Sequence, residues 1–508
     1  MAASWLKDAV FYEIYPQSFR DTNGDGIGDF QGIIEKLDYI RSLGCNALWI
    51  NPCFDSPFRD AGYDVRDYRK VAARYGTNED LYRLFDEAHK RGIRVLLDLV
   101  PGHTSEEHAW FRQSGSAEKT EYDGRYIWTN FWIQGGSGLP YIAGECPRNG
   151  AYIINFFKCQ PALNYGFLHP EESWQTPVDH PDAIATREAM KDVMRFWLSH
   201  GCDGFRVDMA ASLVKKDDER KSGTSAIWRN VREMLDAEYP EAAMVAEWSE
   251  PKLALRAGFD MDFYLNNWGN GYSTLMRDYE QGTDNSYFRK DAPDRDINRF
   301  LDTYLDWYED TKNIGRISLL TCNHDTTRPR FSLEPEELKL AYAFLFTMPG
   351  VPFLYYGDEI GMRFLDVPTK EGGYTRTPMQ WNAGKNLGFS DAEAERLYLP
   401  VDGAEDAPTV EAQEKDENSL LRFVRRLLAL RHGEEDLQAD APLEFLCREK
   451  EAPLVYRRGK LLLAVNPSRK AMQVGISAEG REPIFIHGDI RADGGLLRMG
   501  PQSFAVLK

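Results

Sequence analysis

Short apolar runs alternate with amphipathic helical patterns along most of this chain, and that alternation restricts the fold more than any other feature of the sequence. Strand, helix, strand at this spacing predicts parallel βαβ units. About eight such units predict an α/β fold whose main body is a closed (β/α)8 barrel, the TIM barrel. The predicted strands are 10–15, 47–51, 95–100, 204–207, 244–247, 317–323 and 353–356, with a weaker one at 260–264. The predicted helices are 30–42, 78–91, 186–200, 226–238 and 336–347.

Two long segments interrupt the alternation, and both follow predicted strands. Residues 104–179 lack a helical period and are rich in Gly, Pro and aromatic residues, which indicates a small irregular domain inserted after the third strand. Residues 366–416 form a second long loop after the last strand. Both segments follow the carboxyl ends of strands, where barrel enzymes build their active sites, and loops this long usually carry function.

The end of the chain changes pattern. After a predicted helix at 419–431, short alternating stretches at 454–457, 460–465 and 472–476 predict an antiparallel β domain. We therefore expect a barrel formed by residues 1–103 and 180–432, an inserted domain at 104–179 and a C-terminal β-sandwich domain at 433–508.

Charge and apolar patterning exclude several classes of partner. The formal net charge of −19 argues against nucleic acid and anionic membranes, both of which need a basic surface. The longest apolar stretch, 341–356, is broken by proline and glycine and is too short to span a bilayer. The seven cysteines contain no Cys-x-x-Cys pair, and the N-terminus has no secretory pattern. We expect a cytoplasmic protein with reduced thiols.

Ionisable residues stand at the ends of four predicted strands. Each one alone could mark the point where a strand leaves the core. Four strand ends on one barrel face would instead bring three carboxyls, an arginine and two histidines into one cleft. Glycoside hydrolysis needs such a set, because one carboxyl protonates the leaving oxygen and a carboxylate stands opposite. These residues are His103, Arg206, Asp208, Glu247, His324 and Asp325.

The strand-end segments closely resemble the short motifs of glycoside hydrolase family 13, the α-amylase family. The segment 204–209 resembles the nucleophile motif, 246–248 the acid/base motif and 323–325 the motif of the third carboxylate. The resemblance implies a retaining α-glycoside hydrolase that works through a β-glycosyl-enzyme. It gives Asp208 the role of nucleophile, Glu247 that of general acid/base and Asp325 that of binding substrate hydroxyls and favouring the distorted transition state.

The same resemblance implies a set of substrate-binding residues. Residues 98–103 resemble the family's first motif, and residues 62–68 contain its Tyr-Asp pair. Tyr63 would stack on the attacked sugar and Asp64 would bind its far hydroxyls. His103, Arg206 and His324 would hold the sugar and tune the charge of the site.

Finer features resemble the oligo-1,6-glucosidase and α-glucosidase branch, which implies short oligosaccharides as substrates. These features lie at 10–19, 160–164, 357–359 and 376–381. Three residues depart from the pattern. Gly102 stands where an asparagine usually precedes the histidine, Ala162 where an acid is usual, and Met209 where the branch carries Val or a small polar residue. Linkage preference is therefore not carried over.

An Asp/Gly-rich stretch at 21–29 places oxygen ligands at alternate positions. Calcium takes six or more oxygens, and the intervening glycines allow a short loop to curl around the ion. Family members carry calcium on this loop. We expect structural Ca2+ here, against the alternative of a turn that binds nothing, and we expect neither a catalytic metal nor an organic cofactor. The predicted ligands are Asp21, Asn23, Asp25, the Ile27 carbonyl and Asp29.

Other interpretations keep the fold and change the outcome. A sugar hydroxyl can intercept the glycosyl-enzyme, which would make the protein an α-glucan transglycosylase or a sugar isomerase such as a trehalose synthase. An α-amylase acting on longer maltooligosaccharides is a further alternative. A non-catalytic relative is disfavoured because Asp208, Glu247 and Asp325 are all present. A phosphate-binding barrel enzyme is disfavoured by the acidic cleft. The oligomeric state stays open.

Overall fold

The computed structural model describes residues 3–265, 269–278, 284–367 and 375–508. Twelve α-helices lie in those ranges: α1 (Phe30–Glu35), α2 (Leu37–Leu43), α3 (Asn78–Lys90), α4 (Ala109–Ser114), α5 (Pro181–Ser199), α6 (Ser222–Glu238), α7 (Pro251–Ala254), α8 (Ser273–Met276), α9 (Asn298–Thr311), α10 (Pro335–Thr347), α11 (Val410–Glu414) and α12 (Leu420–Gly433).

Twenty strands lie in the same ranges. The first twelve are β1 (Phe11–Ile14), β2 (Ala47–Ile50), β3 (Phe54–Asp55), β4 (Asp67–Val71), β5 (Arg94–Leu99), β6 (Tyr141–Ile142), β7 (Tyr152–Ile153), β8 (Gly204–Val207), β9 (Ala243–Ala246), β10 (Met261–Phe263), β11 (Arg316–Ser318) and β12 (Phe353–Tyr355). The remaining eight are β13 (Leu443–Cys447), β14 (Leu454–Arg458), β15 (Leu461–Asn466), β16 (Met472–Val474), β17 (Pro483–His487), β18 (Ile490–Asp493), β19 (Leu496–Met499) and β20 (Ser503–Leu507).

Eight strands form one sheet, in the order β11-β10-β9-β8-β5-β2-β1-β12. The pairs β5/β8, β8/β9, β9/β10 and β1/β12 are parallel. A parallel bridge between Leu320 and Phe353 links the two ends of this order, so the sheet is a nearly closed barrel. The predicted fold class is confirmed.

The chain divides into two compact units. The first unit contains Met1–Ala3, Asp29–Ile34 and Trp49–Asp262, and the second contains Ser4–Gly28, Glu35–Leu48 and Phe263–Lys508. The predicted domain boundaries at 103, 179 and 432 remain predictions.

Local chemistry fixes the start of α3 in the first unit. The Thr77 hydroxyl accepts from the Asp80 amide, and the Asp80 carboxylate accepts from the Thr77 amide, which completes a capping box. The helix then buries its apolar face, which is formed by Leu81, Leu84, Phe85 and Ala88. Because the next strand, β5, begins four residues after α3 ends, the helix acts as a crossover between barrel strands.

The segment 104–179 of the first unit contains α4, β6 and β7, and much of the remainder is irregular. A small core of its own holds it together, formed by Ile127, Ile153, Ala162, Phe167 and Trp174. In the second unit, the long loop predicted at 366–416 includes residues 368–374, which lie outside the described residues.

The C-terminal part of the second unit is antiparallel, as the alternating stretches predict. A five-stranded sheet has the order β13-β14-β15-β20-β17, and a three-stranded sheet has the order β16-β19-β18. Side chains from both sheets share one apolar core, which includes Val455, Leu462, Leu497 and Leu507. No helix in the described ranges is both long and apolar enough to cross a membrane.

Two predicted elements differ from the structure in continuity or length, and one helix of 14 residues was not predicted. The helix predicted at 30–42 is two helices, because Lys36 leaves helical geometry with φ −105° and ψ 1°. The strand predicted at 317–323 ends at Ser318. Beyond it, Leu320 keeps an isolated bridge to Phe353, but its amide donates to the Tyr272 hydroxyl at 2.8 Å and not to a strand. Helix α9 was not predicted.

Candidate active site

Two carboxylates of the first unit follow neighbouring parallel strands. Asp208 comes directly after β8, and Glu247 comes directly after β9. The strand ladder continues through both residues, because the Asp208 amide donates to the Leu99 carbonyl at 2.8 Å and the Glu247 amide donates to the Val207 carbonyl at 3.0 Å. Both side chains therefore stand at the carboxyl ends of barrel strands, as predicted.

A single guanidinium binds both carboxylates. Arg206 Nη1 lies 3.2 Å from Asp208 Oδ1, and Arg206 Nη2 lies 2.8 Å from Glu247 Oε1. Arg206 Nη1 also lies 2.8 Å from Oδ1 of a third carboxylate, Asp98. Arg206 is 1% exposed, so this cation is shielded from water. Removing one partner from such a buried cluster typically costs about 3–5 kcal/mol.

The charge of Arg206 is secure. Burial alone would lower the pKa of its guanidinium, but the Asp98 and Glu247 carboxylates outweigh that effect and raise the pKa well above its usual value. The ring of Trp49 lies 5.0 Å from the guanidinium carbon and adds a cation–π contact. Arg206 therefore supplies a permanent positive charge beside two carboxylates.

The third carboxylate organises the surrounding aromatic groups. Asp98 Oδ2 accepts hydrogen bonds from Trp49 Nε1 at 3.1 Å and from the Tyr63 hydroxyl at 3.2 Å. Tyr63 is 8% exposed, which leaves little freedom for its ring. Tyr63, the predicted stacking residue, is thus linked to Arg206 through hydrogen bonds to Asp98.

The residue after Asp208 also contacts Glu247. Met209 has a left-handed backbone, with φ 43° and ψ 45°, which is an uncommon conformation for a residue with a side chain. This turn directs the Met209 amide towards Glu247 Oε2, at 2.9 Å. Both Glu247 oxygens therefore accept hydrogen bonds, one from a guanidinium and one from the backbone.

Asp64 and His103 lie buried in the same unit. Asp64 Oδ1 accepts from the Ser56 hydroxyl at 2.9 Å, and Oδ2 accepts from the Arg59 amide at 3.0 Å. Burial raises the pKa of Asp64 in spite of these hydrogen bonds. His103 Nε2 lies 3.1 Å from the Tyr63 carbonyl, and burial lowers the pKa of its imidazole to about 3. The imidazole is therefore neutral at physiological pH.

The second unit contains a separate chain of ionisable groups. His324 Nδ1 lies 3.0 Å from Glu13 Oε1, and His324 Nε2 lies 3.0 Å from Asp325 Oδ2. Arg376 Nη2 donates to Asp325 Oδ1 at 2.8 Å, and Arg376 Nε donates to the His324 carbonyl. Burial would lower the pKa of His324, but Asp325 and Glu13 raise it to about 9. Two cations therefore hold the Asp325 carboxylate.

Four predicted site residues meet in the first unit, where Arg206 contacts Tyr63, Asp208 and Glu247. His103 joins them through the Tyr63 carbonyl, and Asp64 follows Tyr63 in the chain. The predicted pair His324 and Asp325 meets in the second unit. Sequence reasoning missed Asp98, Glu13 and Arg376 as site residues. Each lies inside a motif that had been recognised, so its place in that motif was the signal that could have identified it.

The predicted metal loop is a series of tight turns. In the second unit, Asp21 Oδ1 accepts from the Gly24 amide at 2.8 Å, Asn23 Oδ1 from the Asp25 amide and Asp25 Oδ1 from the Ile27 amide, both at 2.9 Å. In the first unit, Asp29 Oδ1 accepts from the Gly32 amide at 2.7 Å. Within the described ranges, no three His, Cys, Asp or Glu side chains converge to hold a metal ion.

Comparison with known proteins gives a family and several relatives. The sequence matches the family described as "Alpha amylase, catalytic domain" over residues 13–440. A trehalose synthase/amylase of Mycolicibacterium smegmatis is 34% identical, with 84% of this chain and 76% of that protein covered. An oligo-1,6-glucosidase of Heyndrickxia coagulans is 31% identical, with 92% and 93% covered.

A solved structure agrees with these sequence relatives. The trehalulose synthase of Pseudomonas mesoacidophila superposes with a TM-score of 0.83 at 25% identity, and the match covers 100% of both chains. The matched catalytic domain spans most of the present sequence. This chain belongs to the α-amylase family and is a glycoside-acting enzyme.

Proposed function

We propose that the protein is a retaining enzyme that cleaves α-glucosidic linkages of short oligosaccharides through a covalent β-glycosyl-enzyme. One observation carries the proposal: a buried guanidinium binds both Asp208 and Glu247 at the ends of neighbouring strands. A retaining glycosidase needs two carboxyl groups close together, one as nucleophile and one as acid/base. A shared cation keeps both within reach of one glycosidic bond.

The proposed first step forms and breaks one bond each at the anomeric carbon. Asp208 attacks that carbon with a carboxylate oxygen, the bond to the leaving oxygen breaks, and Glu247 gives its proton to that oxygen. In the second step Glu247 takes a proton from water, the water oxygen bonds to the anomeric carbon, and the ester to Asp208 breaks. Arg206 compensates the negative charge on Asp208 before the attack and on Glu247 after it has given up its proton.

The remaining predicted residues bind the sugar in this proposal. We assign Asp325 to the substrate hydroxyls and to the distorted transition state, with His324 beside it. Tyr63 would offer a ring face, and Asp64 and His103 would bind hydroxyls of the attacked sugar. The buried, hydrogen-bonded state of Asp64 and His103 supports these roles, because preorganised polar groups lose little entropy on binding.

A second candidate function is transfer of the glucosyl group to a sugar, as in a transglycosylase or a trehalose-synthase-like isomerase. The relatives named trehalose synthase/amylase and oligo-1,6-glucosidase support both outcomes about equally. The covalent intermediate is the same in each case. The two differ only in whether water or a sugar hydroxyl attacks it. An α-amylase activity on longer maltooligosaccharides is a third outcome.

The experiment is product analysis by NMR. Wild-type protein and Asp208→Asn are incubated with maltose, isomaltose, trehalose, sucrose, maltotriose and soluble starch, and the first anomer formed is recorded. We expect α-glucose first from a short substrate, and at least a roughly 10³-fold lower rate in the variant. Trehalose formed from maltose at high substrate concentration would identify isomerisation.

Two results would contradict the proposal. β-Glucose as the first product would indicate inversion. An Asp208→Asn variant as active as wild type would show that Asp208 is not the nucleophile. Asp217→Asn is the matched control, because Asp217 follows Asp208 by nine positions and its carboxylate accepts only from the amides of Asp218, Gly223 and Thr224 among the hydrogen bonds described. It should retain nearly full activity.

We also propose that Asp21, Asn23, Asp25, the Ile27 carbonyl and Asp29 hold one structural Ca2+. The donor set fits the ion chemically, because carboxylate, amide and backbone oxygens are the ligands that calcium prefers. The turns described above keep these groups in one short loop. Melting temperature should rise on adding CaCl2 and fall on adding EGTA. A melting temperature that neither reagent changes would contradict the proposal.

We propose a cytoplasmic location as well. All seven cysteines are free thiols, and six of them are buried, which suits a reducing compartment. Cell fractionation with an antibody against the chain tests it, and recovery outside the cytoplasm would contradict it.

A further inference from the structure

Gly102 precedes His103 and leaves space where a side chain would stand. A Cβ atom built on Gly102 would lie 2.9 Å from the Asn155 side-chain nitrogen, closer than real Cβ contacts allow. The amide of Asn155, a residue of the segment 104–179, thus occupies the space beside Gly102. A side chain at position 102 would therefore require the Asn155 amide to move from this placement.

Asn155 uses that space to contact His103. Its Nδ2 donates to the Gly102 carbonyl at 2.9 Å and lies 3.2 Å from His103 Nδ1. On the other side, Lys215 Nζ lies 2.9 Å from Asn155 Oδ1. A lysine ammonium only donates and a carbonyl only accepts, so these two partners fix which end of the amide is nitrogen.

The orientation of the amide determines where the proton of His103 is. Because Asn155 Nδ2 is a donor, His103 Nδ1 must accept, and a neutral imidazole then carries its proton on Nε2. The Tyr63 carbonyl, 3.1 Å from Nε2, can only accept and requires the same tautomer. The low pKa of His103 keeps the ring neutral, so both contacts agree on one state.

Lys215 connects this arrangement to the loop that follows the proposed nucleophile. Its Nζ also donates to the carbonyl of Ser212 at 3.2 Å, and Ser212 is the last residue of a short 3-10 helix that begins two residues after Asp208. The Lys215 side chain therefore joins Asn155 to the segment that carries Asp208. The polar chain runs from Ser212 through Lys215 and Asn155 to His103.

We propose that Asn155, held by Lys215 and admitted by Gly102, is the positioning residue that fixes the ring orientation and the Nε2-protonated tautomer of His103. The neutral ring is thereby held with Nδ1 accepting from Asn155 and Nε2 donating to the Tyr63 carbonyl. The effect on activity rests on the proposed function, in which His103 binds the attacked sugar. The effect on the tautomer does not, and it is measured separately.

The activity test is a double-mutant cycle at positions 102 and 155. Asn155→Ala should lower kcat/KM about 10- to 100-fold, as loss of an orienting neighbour typically does. Gly102→Ala should also lower kcat/KM, because its Cβ displaces the amide. The double variant should be no worse than Asn155→Ala alone, because nothing is left to displace. Additive losses would overturn the proposal.

Asn155→Asp guards against a folding defect in the alanine variant. It keeps the shape and the acceptor for Lys215 and loses the donor to His103 Nδ1, so it should show a similar loss of kcat/KM. The matched control is Asn130→Ala in the same segment, whose amide donates to the exposed Ser173 hydroxyl at 2.7 Å. Asn130→Ala should keep wild-type kcat/KM.

The tautomer test uses 15N-histidine NMR and needs no substrate. In wild type, His103 Nδ1 should show the shift of an unprotonated, hydrogen-bonded nitrogen, and the signal is assigned with His103→Gln. In Asn155→Asp it should move to the position of a nitrogen without a donor or of a protonated nitrogen. An unchanged signal would overturn the proposal even if wild type cleaves sugars. Inactive wild type with the expected shift would overturn only the proposed function.

Discussion

At the scale of single residues, the state of His324 depends on two carboxylates. Its buried ring lies between Glu13 and Asp325, with the ring of Tyr15 at 5.9 Å and Arg376 on the far side of Asp325. The pKa of His324 rises to about 9, whereas an unperturbed histidine titrates near 6.5. His324 is therefore a cation at neutral pH and helps Arg376 to hold Asp325.

Glu13→Gln should move the alkaline limit of activity to lower pH. A raised folded-state pKa gives stability that is complete below about 6.5 and is lost as pH rises through about 9. The amide oxygen of the substituted side chain still accepts from His324 Nδ1 but carries no charge, so the pKa of His324 should fall by about one unit. The pH profile of kcat/KM and the urea midpoint between about pH 6 and 10 measure this shift.

Glu405→Gln is the control for this change, because Glu405 is exposed and its substitution removes the same charge from the chain. It should leave both profiles unchanged. If Glu13→Gln and Glu405→Gln give the same alkaline limit, His324 is not the group that sets it.

At the scale of elements, most barrel strands were predictable because parallel strands buried on both faces are continuous apolar runs. Strands β8 and β9 agree with their predicted bounds within one residue, and that register placed Asp208 and Glu247. Strand β11 was predicted too long because Leu319 and Leu320 continue its apolar run, although the Leu320 amide bonds to the Tyr272 side chain. A contact 48 residues apart in sequence leaves no local pattern.

The turn after Glu247 depends on a side chain in the middle of β10. Asp262 Oδ1 accepts from the Trp248 amide at 3.2 Å and from the Ser249 amide at 3.1 Å, and Ser249 has φ 60°. Burial raises the pKa of Asp262 well above its usual value. A side chain of β10 thus fixes the backbone that follows β9 and Glu247.

Asp262→Ala should destabilise the protein by about 2–3 kcal/mol, because two buried amides lose their acceptor. It should also lower kcat about tenfold by loosening the backbone beside Glu247. Asp262→Asn keeps the acceptor oxygen and should stay within about 1 kcal/mol and about twofold of wild type. Urea midpoints and kcat measure both effects, and equal values for the two variants would contradict this role.

At the scale of the whole molecule, sequence reasoning identified the barrel and the strand-end carboxyls but few of their partners. Glu13 and His324 are 311 positions apart, and Arg206 and Asp98 are 108 apart. Hydrogen bonds at such separations follow from the closed sheet, because a barrel brings distant strand ends to one face. The sequence pattern gives residue types and their spacing, but it does not give the pairings between distant residues.

The C-terminal sheet of the second unit is joined to the end of α10 by a buried guanidinium. Arg458 on β14 donates to the Thr347 carbonyl and, at 2.7 Å, to the Gln438 carbonyl, and it is 0% exposed. Arg458→Met should lower stability by about 3 kcal/mol or more, because buried carbonyls lose a charged donor. Its kcat should be unchanged, since the hydrogen bonds described for Arg458 include none of the proposed active-site residues.

Arg457→Met is the matched control, because Arg457 pairs with exposed Glu444. This substitution should lower the free energy of unfolding by less than about 1 kcal/mol. Equal urea midpoints for the two variants would show that the buried guanidinium does not hold this sheet in place.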